Sequence, residues 1–366
     1  MTTKQLTTPQ APLTGFPIVG IGASAGGLAA FEAFFSSIPA NTEPGMAFVL
    51  VQHLAPDHKS LLTEIIQRHT SMPVFEVEDG MIVQPNCIYI IQPNCNMALQ
   101  NGTLQLLDIS KTDRLRLPID FFFRSLAQDQ HERAIGVILS GAGSDGTQGA
   151  RVIKGECGMV MAQSPESIEF DSMPSSAIAT GLVDYVLPAA EMSTQLIDYV
   201  SHAFGKLSQL GANLTFQNQY AIKKIYILLR NQTGHDFSQY KQGTINRRIE
   251  RRMTIHQIET IGYYIKYLQQ TPAEVEALFL DILIGVTNFF RDPTAFLAIA
   301  EYIMTQLFVN KPVGAVIRLW VPGCSTGEEA YSIAILLVEA MEALNLSCWR
   351  RLKTDHLCRL KIDQGI

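Results

Sequence analysis

Ile18-Val19-Gly20-Ile21-Gly22-Ala23-Ser24-Ala25-Gly26-Gly27 is the stretch on which the reading of this chain turns. Its first half is an apolar run of strand type and its second half a run of small residues, after which Leu28, Phe31, Phe35 and Ile38 recur at helical spacing. A strand that ends in a sharp turn and passes at once into a helix leaves the turn side chain standing clear. Backbone N–H groups at the helix start then face whatever binds there. Ser24 sits in that turn between residues too small to bury it, as in a nucleophile elbow, and is the first candidate for a catalytic residue.

Outward from this segment, short apolar strands alternate with amphipathic helices from Phe16 to about Ala203, with strands near 17–22, 46–52, 134–139 and 159–162. The alternation predicts an α/β fold with a parallel, doubly wound sheet over 16–203. Between Pro73 and Leu107 the pieces become shorter and β-rich, among them Cys87 to Ile91 and Thr103 to Leu107, which predicts antiparallel hairpins inserted on the sheet. Residues 1–15, rich in Thr, Gln and Pro, read as a flexible N-terminus. Glycines and small polar residues mark a linker over 204–214, an α-helical domain follows over 215–312, and a second strand-turn-helix opens a Rossmann-like unit over 313–366.

Composition narrows the classes. The 366 residues are 47% hydrophobic and 17% charged, as expected of a folded chain with more than one core. A net charge of -6 argues against a nucleic-acid partner, which would call for a basic balance to meet phosphates. No uninterrupted apolar run of about 18 residues suggests membrane insertion, and the reading is a cytoplasmic protein. Cys87, Cys95, Cys157, Cys324, Cys348 and Cys358 form no C-x-x-C pair, which predicts reduced thiols and no metal site.

A serine hydroxyl at its own pKa is a weak nucleophile and needs a histidine base and a third group to orient it. His53 closes the second strand in Val49-Leu50-Val51-Gln52-His53, and Asp145 lies in the glycine-rich turn Leu139-Ser140-Gly141-Ala142-Gly143-Ser144-Asp145-Gly146 after the third. Neighbouring parallel strands present their carboxyl ends on one edge, so Ser24, His53 and Asp145 form a triad hypothesis by position. Taken singly, Ser24 reads as a turn or phosphate-loop residue, His53 as a strand-end histidine and Asp145 as a helix N-cap. A dinucleotide fingerprint is disfavoured, because Gly20, Gly22 and Gly26 are spaced one residue too far and the second strand ends in Gln52-His53 rather than an acid. The chain order Ser, His, Asp also differs from that of α/β-hydrolases.

GASAGG at Gly22 to Gly27, the strand end VQH, PIDFFFRSLA at Pro118 to Ala127 and GVILSGAGSDGTQG together resemble the chemoreceptor methylesterase family of CheB type. The resemblance runs over roughly Phe16 to Val200. It implies hydrolysis of glutamate γ-methyl esters on chemoreceptors, often with glutamine deamidation, with no cofactor for the esterase. It makes Ser24 the nucleophile, His53 the general base and acid, and Asp145 the group that orients the imidazole. The oxyanion donors would be backbone N–H groups near Ala25 and Ala142, the latter standing where a methionine is familiar. Family members also carry a receiver domain, for which the residues before Phe16 are expected to leave no room, so phosphorylation control would come from a partner or another mode of tethering.

Farther on, Thr244-Ile245-Asn246-Arg247-Arg248-Ile249-Glu250-Arg251-Arg252-Met253 places four arginines at helical spacing, read either as a solvated charged face or as a surface for acidic receptor helices. Val286-Thr287-Asn288-Phe289-Phe290-Arg291-Asp292 and Gly323-Cys324-Ser325-Thr326-Gly327-Glu328-Glu329 resemble the chemoreceptor methyltransferase family of CheR type. That resemblance implies S-adenosylmethionine as cofactor of this part, with Thr287, Arg291 and Glu328 as its contacts. It fails after about Ser347, where an acid-ended second strand is due, with Asp355 a faint substitute. The expectation is a truncated methyltransferase module without turnover, and an uncovered apolar face on Ala330 to Leu344. Methyl-accepting chemoreceptors or related sensor proteins are the expected partners; the alternative is a non-enzymatic scaffold docked on them through the arginine helix.

Overall fold

The computed structural model describes residues 14–40, 42–52, 61–108, 117–205, 218–285, 289–308, 316–324, 327–344, 349–354 and 359–364. Two compact units divide the chain, Met1–Ile284 and Gly285–Ile366.

The first unit opens with the strands β1 (Ile18–Ala23), β2 (Ala47–Gln52), β3 (Val74–Glu76), β4 (Met81–Ile82) and β5 (Ile88–Ile90). It continues with β6 (Cys95–Gln100), β7 (Thr103–Asp108), β8 (Ala134–Ile138), β9 (Met159–Gln163) and β10 (Tyr185–Leu187). Between and after them run the helices α1 (Gly27–Ser36), α2 (Leu62–Gln67), α3 (Pro118–Gln130), α4 (Thr147–Gly155), α5 (Ser172–Ile178) and α6 (Ala189–Gly205). The main sheet has the order β10-β9-β8-β1-β2-β5-β3, and every pairing in it is parallel. This is the expected α/β architecture, with β1 at the centre between β2 and β8.

Successive strand residues face opposite sides, and here both sides are covered, so the strands are apolar throughout. Val19, Ile21, Phe48 and Leu50 pack on Phe31, Phe34 and Phe35 of α1 and on Met192 and Leu196 of α6. Ile18, Val49 and Val51 face the other way, onto Ile119, Phe122 and Phe123 of α3 and Ile153 of α4. Each such side chain contributes about 1.5–3 kcal/mol by leaving water. On the α3 side β1 presents glycines, because a Cβ on Gly22 would stand 2.4 Å from Ile119 Cγ2.

The expectation of hairpins between Pro73 and Leu107 needs one correction. β6 and β7 do pair antiparallel, in a small sheet of order β4-β7-β6. β5, expected as a hairpin piece over Cys87 to Ile91, instead belongs to the main sheet, parallel to β2 and β3. A three-residue apolar run buried on both faces carries no alternation by which to assign it.

After the sheet come α7 (Asn218–Thr233), α8 (Gln242–Ile255), α9 (Ile261–Gln270) and α10 (Pro272–Ile282), around a core that includes Ile225, Leu229, Ile245, Ile249, Tyr264, Leu268 and Leu278. Three of the four arginines in the stripe on α8 are neither solvated nor open to a receptor. Arg248, Arg251 and Arg252 are buried, and Arg247 is exposed. Arg251 pairs with Asp184 and, at 2.7 Å, with Asp281, while Lys154 Nζ lies 2.5 Å from Asp184 and 3.1 Å from Asp281. Arg252 pairs with Glu274, which also takes His256 Nε2 at 2.6 Å and the Tyr264 hydroxyl at 2.8 Å. These carboxylates lie at 184, 274 and 281, far from the arginines in sequence, and local spacing gives no sign of the pairing.

The second unit holds α11 (Pro293–Tyr302), β11 (Val316–Trp320), α12 (Glu328–Ala343), β12 (Trp349–Thr354) and β13 (Arg359–Gln364). Its sheet has the order β11-β13-β12, antiparallel throughout. Phe296, Ile317, Ile333 and Leu337 form its core. Cys324 is disulfide-bonded, which corrects the expectation of a reduced thiol at this position, while Cys87, Cys95 and Cys157 are free.

Burial alone would raise the Glu274 carboxyl, but hydrogen bonds from His256 and Arg252, and the arginine charge, hold it down to about 2 from its ordinary 4.5. A depressed carboxylate contributes stability that is fully present above its unfolded value and lost as pH falls through its folded value. Urea midpoints of the full chain should therefore drop between pH 4.5 and about 2, with a shallower slope in Glu274→Gln. Equal slopes in the two proteins would contradict this account of the ion cluster.

Candidate active site

β1 ends at Ala23, and the chain turns through Ser24, Ala25 and Gly26 into α1. Gly26 has φ 72°, a left-handed conformation that glycine adopts without strain, and a Cβ there would meet Ser140 Oγ at 2.7 Å. α1 begins with no side-chain cap and no acidic residue in its first turn, so its positive end is left for a bound group. Among the described residues the N–H groups of Ala25 and Ala142 make no hydrogen bond. Unpaired donors beside an accessible hydroxyl are what a developing oxyanion requires.

The loop after β8 is fastened directly to this turn. Ser24 N–H donates to Ser140 O at 2.9 Å, and the Ser140 hydroxyl donates to Ala25 O at 2.9 Å. Ser140 N–H donates to the Gln163 side chain at 3.0 Å, and Gly141 N–H to Phe170 O at 2.9 Å. Gly141 is wedged so closely that an added Cβ would lie 3.0 Å from Ser24 Cβ and 2.7 Å from Met173 Cε. Sequence reading missed Ser140, Gln163, Phe170 and Met173. Gln163 was the discoverable one, since it closes β9 on the same rim of the sheet.

Asp145 lies in this loop and is 3% exposed. Its carboxylate accepts from Ile119 N–H at 3.0 Å, Asp120 N–H at 2.9 Å and Gly146 N–H at 2.8 Å. It therefore sits at the start of α3, which has no side-chain cap within its own segment, rather than capping the helix that follows it. Asp120, next to it, accepts from Gly149 N–H of α4 at 2.6 Å. Burial pushes the Asp120 carboxyl up, and the charge of Asp145 adds to this against the Gly149 hydrogen bond. The PIDFFF motif thus has a physical role, because its first N–H groups anchor the candidate orienting acid.

His53, the candidate base, lies outside the described residues. β2 is described to Gln52, which pairs with Ala23 immediately before Ser24. The nearest described histidines in sequence are engaged elsewhere: His69 Nδ1 is 2.8 Å from Ser36 Oγ at the far end of α1, and His131 Nδ1 is 3.1 Å from Glu156 beyond the end of α3. The structure thus brings the Ser24 turn and the Asp145 loop together through backbone bonds.

In the second unit, Thr287 lies outside the described residues. Arg291 is exposed ahead of α11, and Glu328 opens α12. Phe290 N–H donates to Ser332 Oγ at 3.0 Å, and that hydroxyl donates to Glu328 O at 2.7 Å, so Ser332 ties the segment bearing Arg291 to the first turn of α12. Along the same helix Phe289, Tyr331, Ala334, Ile335, Val338 and Glu339 line an open groove of about 410 Å³. The expectation of an uncovered apolar face is corrected on one side of α12, where Ile333, Ala334 and Leu337 are buried with Ile317 and Val321, while Tyr331, Ile335 and Val338 are exposed.

Comparison with known families matches residues 19–196 to CheB methylesterase, 221–283 to the all-alpha domain of CheR methyltransferase and 285–353 to the SAM binding domain of CheR methyltransferase. An uncharacterized 104.1 kDa protein from the hypE 3' region of Rhodobacter capsulatus is 36% identical over 303 residues, 77% of this chain and 32% of that protein. The protein-glutamate methylesterase/protein-glutamine glutaminase of Thermotoga maritima is 35% identical over 182 residues, 49% of this chain and 52% of the relative. A putative enzyme of the same name from Leptospira interrogans is 30% identical over 173 residues, 47% of this chain and 89% of the relative. The crystal structure of the Thermotoga maritima CheB methylesterase catalytic domain is 34% identical, with a TM-score of 0.46, over 50% of this chain and 99% of that one. The chain spans 32% and 52% of the lengths of the first two relatives. The SAM binding domain implies S-adenosylmethionine as the cofactor of the methyltransferase part. The chain belongs to the CheB methylesterase family and carries, in the same polypeptide, modules of the CheR methyltransferase family.

Proposed function

We propose that this chain hydrolyses glutamate γ-methyl esters on methyl-accepting chemoreceptors in the cytoplasm, and deamidates receptor glutamines at the same site. The observation that carries the reading is a serine at the head of an uncapped helix, bonded through its backbone to the loop of a buried aspartate. The names of the Thermotoga and Leptospira relatives supply the substrate class.

Ser24 Oγ attacks the ester carbonyl while His53 takes its proton. The oxyanion of the tetrahedral intermediate settles on the N–H groups of Ala25 and Ala142, each contributing about 3 kcal/mol. His53 then returns the proton to the departing methoxide, releasing methanol and leaving a glutamyl ester on Ser24. Water, deprotonated by His53, cleaves that ester and restores both groups. Asp145 orients the imidazole, and its three backbone hydrogen bonds fix the carboxylate before the substrate arrives. Neither this cycle nor its leaving groups call for a cofactor.

The second unit fits S-adenosylmethionine poorly. A nucleoside crevice forms at the carboxyl ends of parallel strands, where their order reverses, and β11 is paired antiparallel to β13. Among the described residues the groove beside α12 offers Glu339 as its one carboxylate, amid apolar and aromatic side chains. We therefore assign no methyl transfer to this chain.

Two outcomes are expected. Methanol release from methylated receptor membranes should fall about 10⁴-fold or more in Ser24→Ala; a variant that keeps the wild-type rate would overturn the assignment. Calorimetry should detect no binding of S-adenosylmethionine at micromolar concentrations, and a saturable heat there would show that the second unit holds the cofactor.

A further inference from the structure

The guanidinium groups of Arg248 and Arg251 on α8 are directed at the sheet domain. Arg248 donates to Lys154 O at 2.8 Å and to Gly155 O at 2.9 Å, at the end of α4, where Lys154 O also accepts from Cys157 N–H at 3.1 Å. A cation at a helix C-terminus is also favoured by the helix dipole. Arg251 donates to Gly158 O through Nε at 3.0 Å and Nη2 at 2.8 Å, just ahead of β9, and reaches Asp184 just ahead of β10. Asp184 itself accepts from Val160 N–H at 3.0 Å, so it is fixed to the edge of the sheet. The Tyr185 hydroxyl donates to the carbonyl of Ile255, the last residue of α8, and Ile255 is packed within the core of the sheet domain.

We propose that α8 is an internal latch: its arginines clamp the helical domain onto the α4, β9 and β10 edge of the esterase, and an acidic helix of a partner reaches them only when that clamp opens. Arg248, Arg251 and Arg252 are 3–6% exposed, which leaves no surface for a carboxylate from outside. Asp184, Asp281 and Glu274 already occupy the positions that partner carboxylates would take. A buried charge deprived of its partner is costly, so opening by thermal motion is rare, while a helix supplying several carboxylates at once can compensate the exposed arginines. α4 begins directly after the Asp145 turn and ends under Arg248, so the latch and the candidate active site share one helix. The inference does not depend on ester hydrolysis, and its failure would leave the triad assignment untouched.

The test uses the full chain, hydrogen-exchange mass spectrometry and a synthetic glutamate-rich helical peptide. Asp184→Asn weakens the socket but keeps every arginine. It should speed exchange about tenfold in both 154–160 and α8, and tighten peptide binding about tenfold. In the wild type, peptide binding should be weak, and any binding should be accompanied by faster exchange in 154–160. Faster exchange in the variant confined to 154–160, unchanged peptide affinity, or tight wild-type binding with 154–160 still protected would each overturn the latch. If Asp184→Asn does not fold, Arg248→Lys takes its place: it keeps the charge but loses the fork to two carbonyls, and the same outcomes apply.

Discussion

The close crossing of α3 over β1 governs the end of the molecule that carries the candidate active site. It requires glycine at position 22, since a side chain there would collide with Ile119. With that contact made, the first N–H groups of α3 arrive where the loop after β8 passes, and they hold the Asp145 carboxylate in place. The same strand then ends at Ser24. One packing distance therefore sets the spacing between the candidate nucleophile's turn and the candidate acid's loop, and the glycines of β1 serve the approach of α3 as much as the turn.

The sheet uses two of its boundaries for different purposes. Its carboxyl rim gathers Ser24, the Ser140 to Asp145 loop and Gln163, tied by backbone hydrogen bonds and by the Gln163 side chain, and among the described residues the N–H groups of Ala25 and Ala142 make no hydrogen bond. Its β9–β10 edge receives the helical domain through charges that are fully desolvated. Ion pairs of this kind are weak evidence of net stability but define one arrangement closely, because removing a single partner strands a charge in the interior. α4 spans both regions, from the Asp145 turn to Arg248.

Much of the catalytic end was legible in the sequence. The apolar runs at Ile18, Ala47 and Ala134 became adjacent parallel strands, since strands buried on both faces must be apolar and short. The position of Ser24 followed from small residues between a strand and a helix. What could not be read was long-range. The arginines of α8 looked like a surface stripe because their carboxylates come from 184, 274 and 281. Asp145 looked like a cap for its own helix, whereas the donors it serves begin 26 residues earlier, at Ile119. Ile88 to Ile90 gave no alternation and so no sign of its place in the main sheet. In each case the deciding partner was remote in the chain, and only the folded arrangement brings the two together.

The central claim is that the hydroxyl at position 24 becomes acylated during turnover. The most direct measurement is acid quenching of the full chain while it turns over a peptide bearing a glutamate γ-methyl ester, followed by peptide mapping by mass spectrometry. The account requires the glutamyl adduct on Ser24. An adduct on any other residue would contradict it.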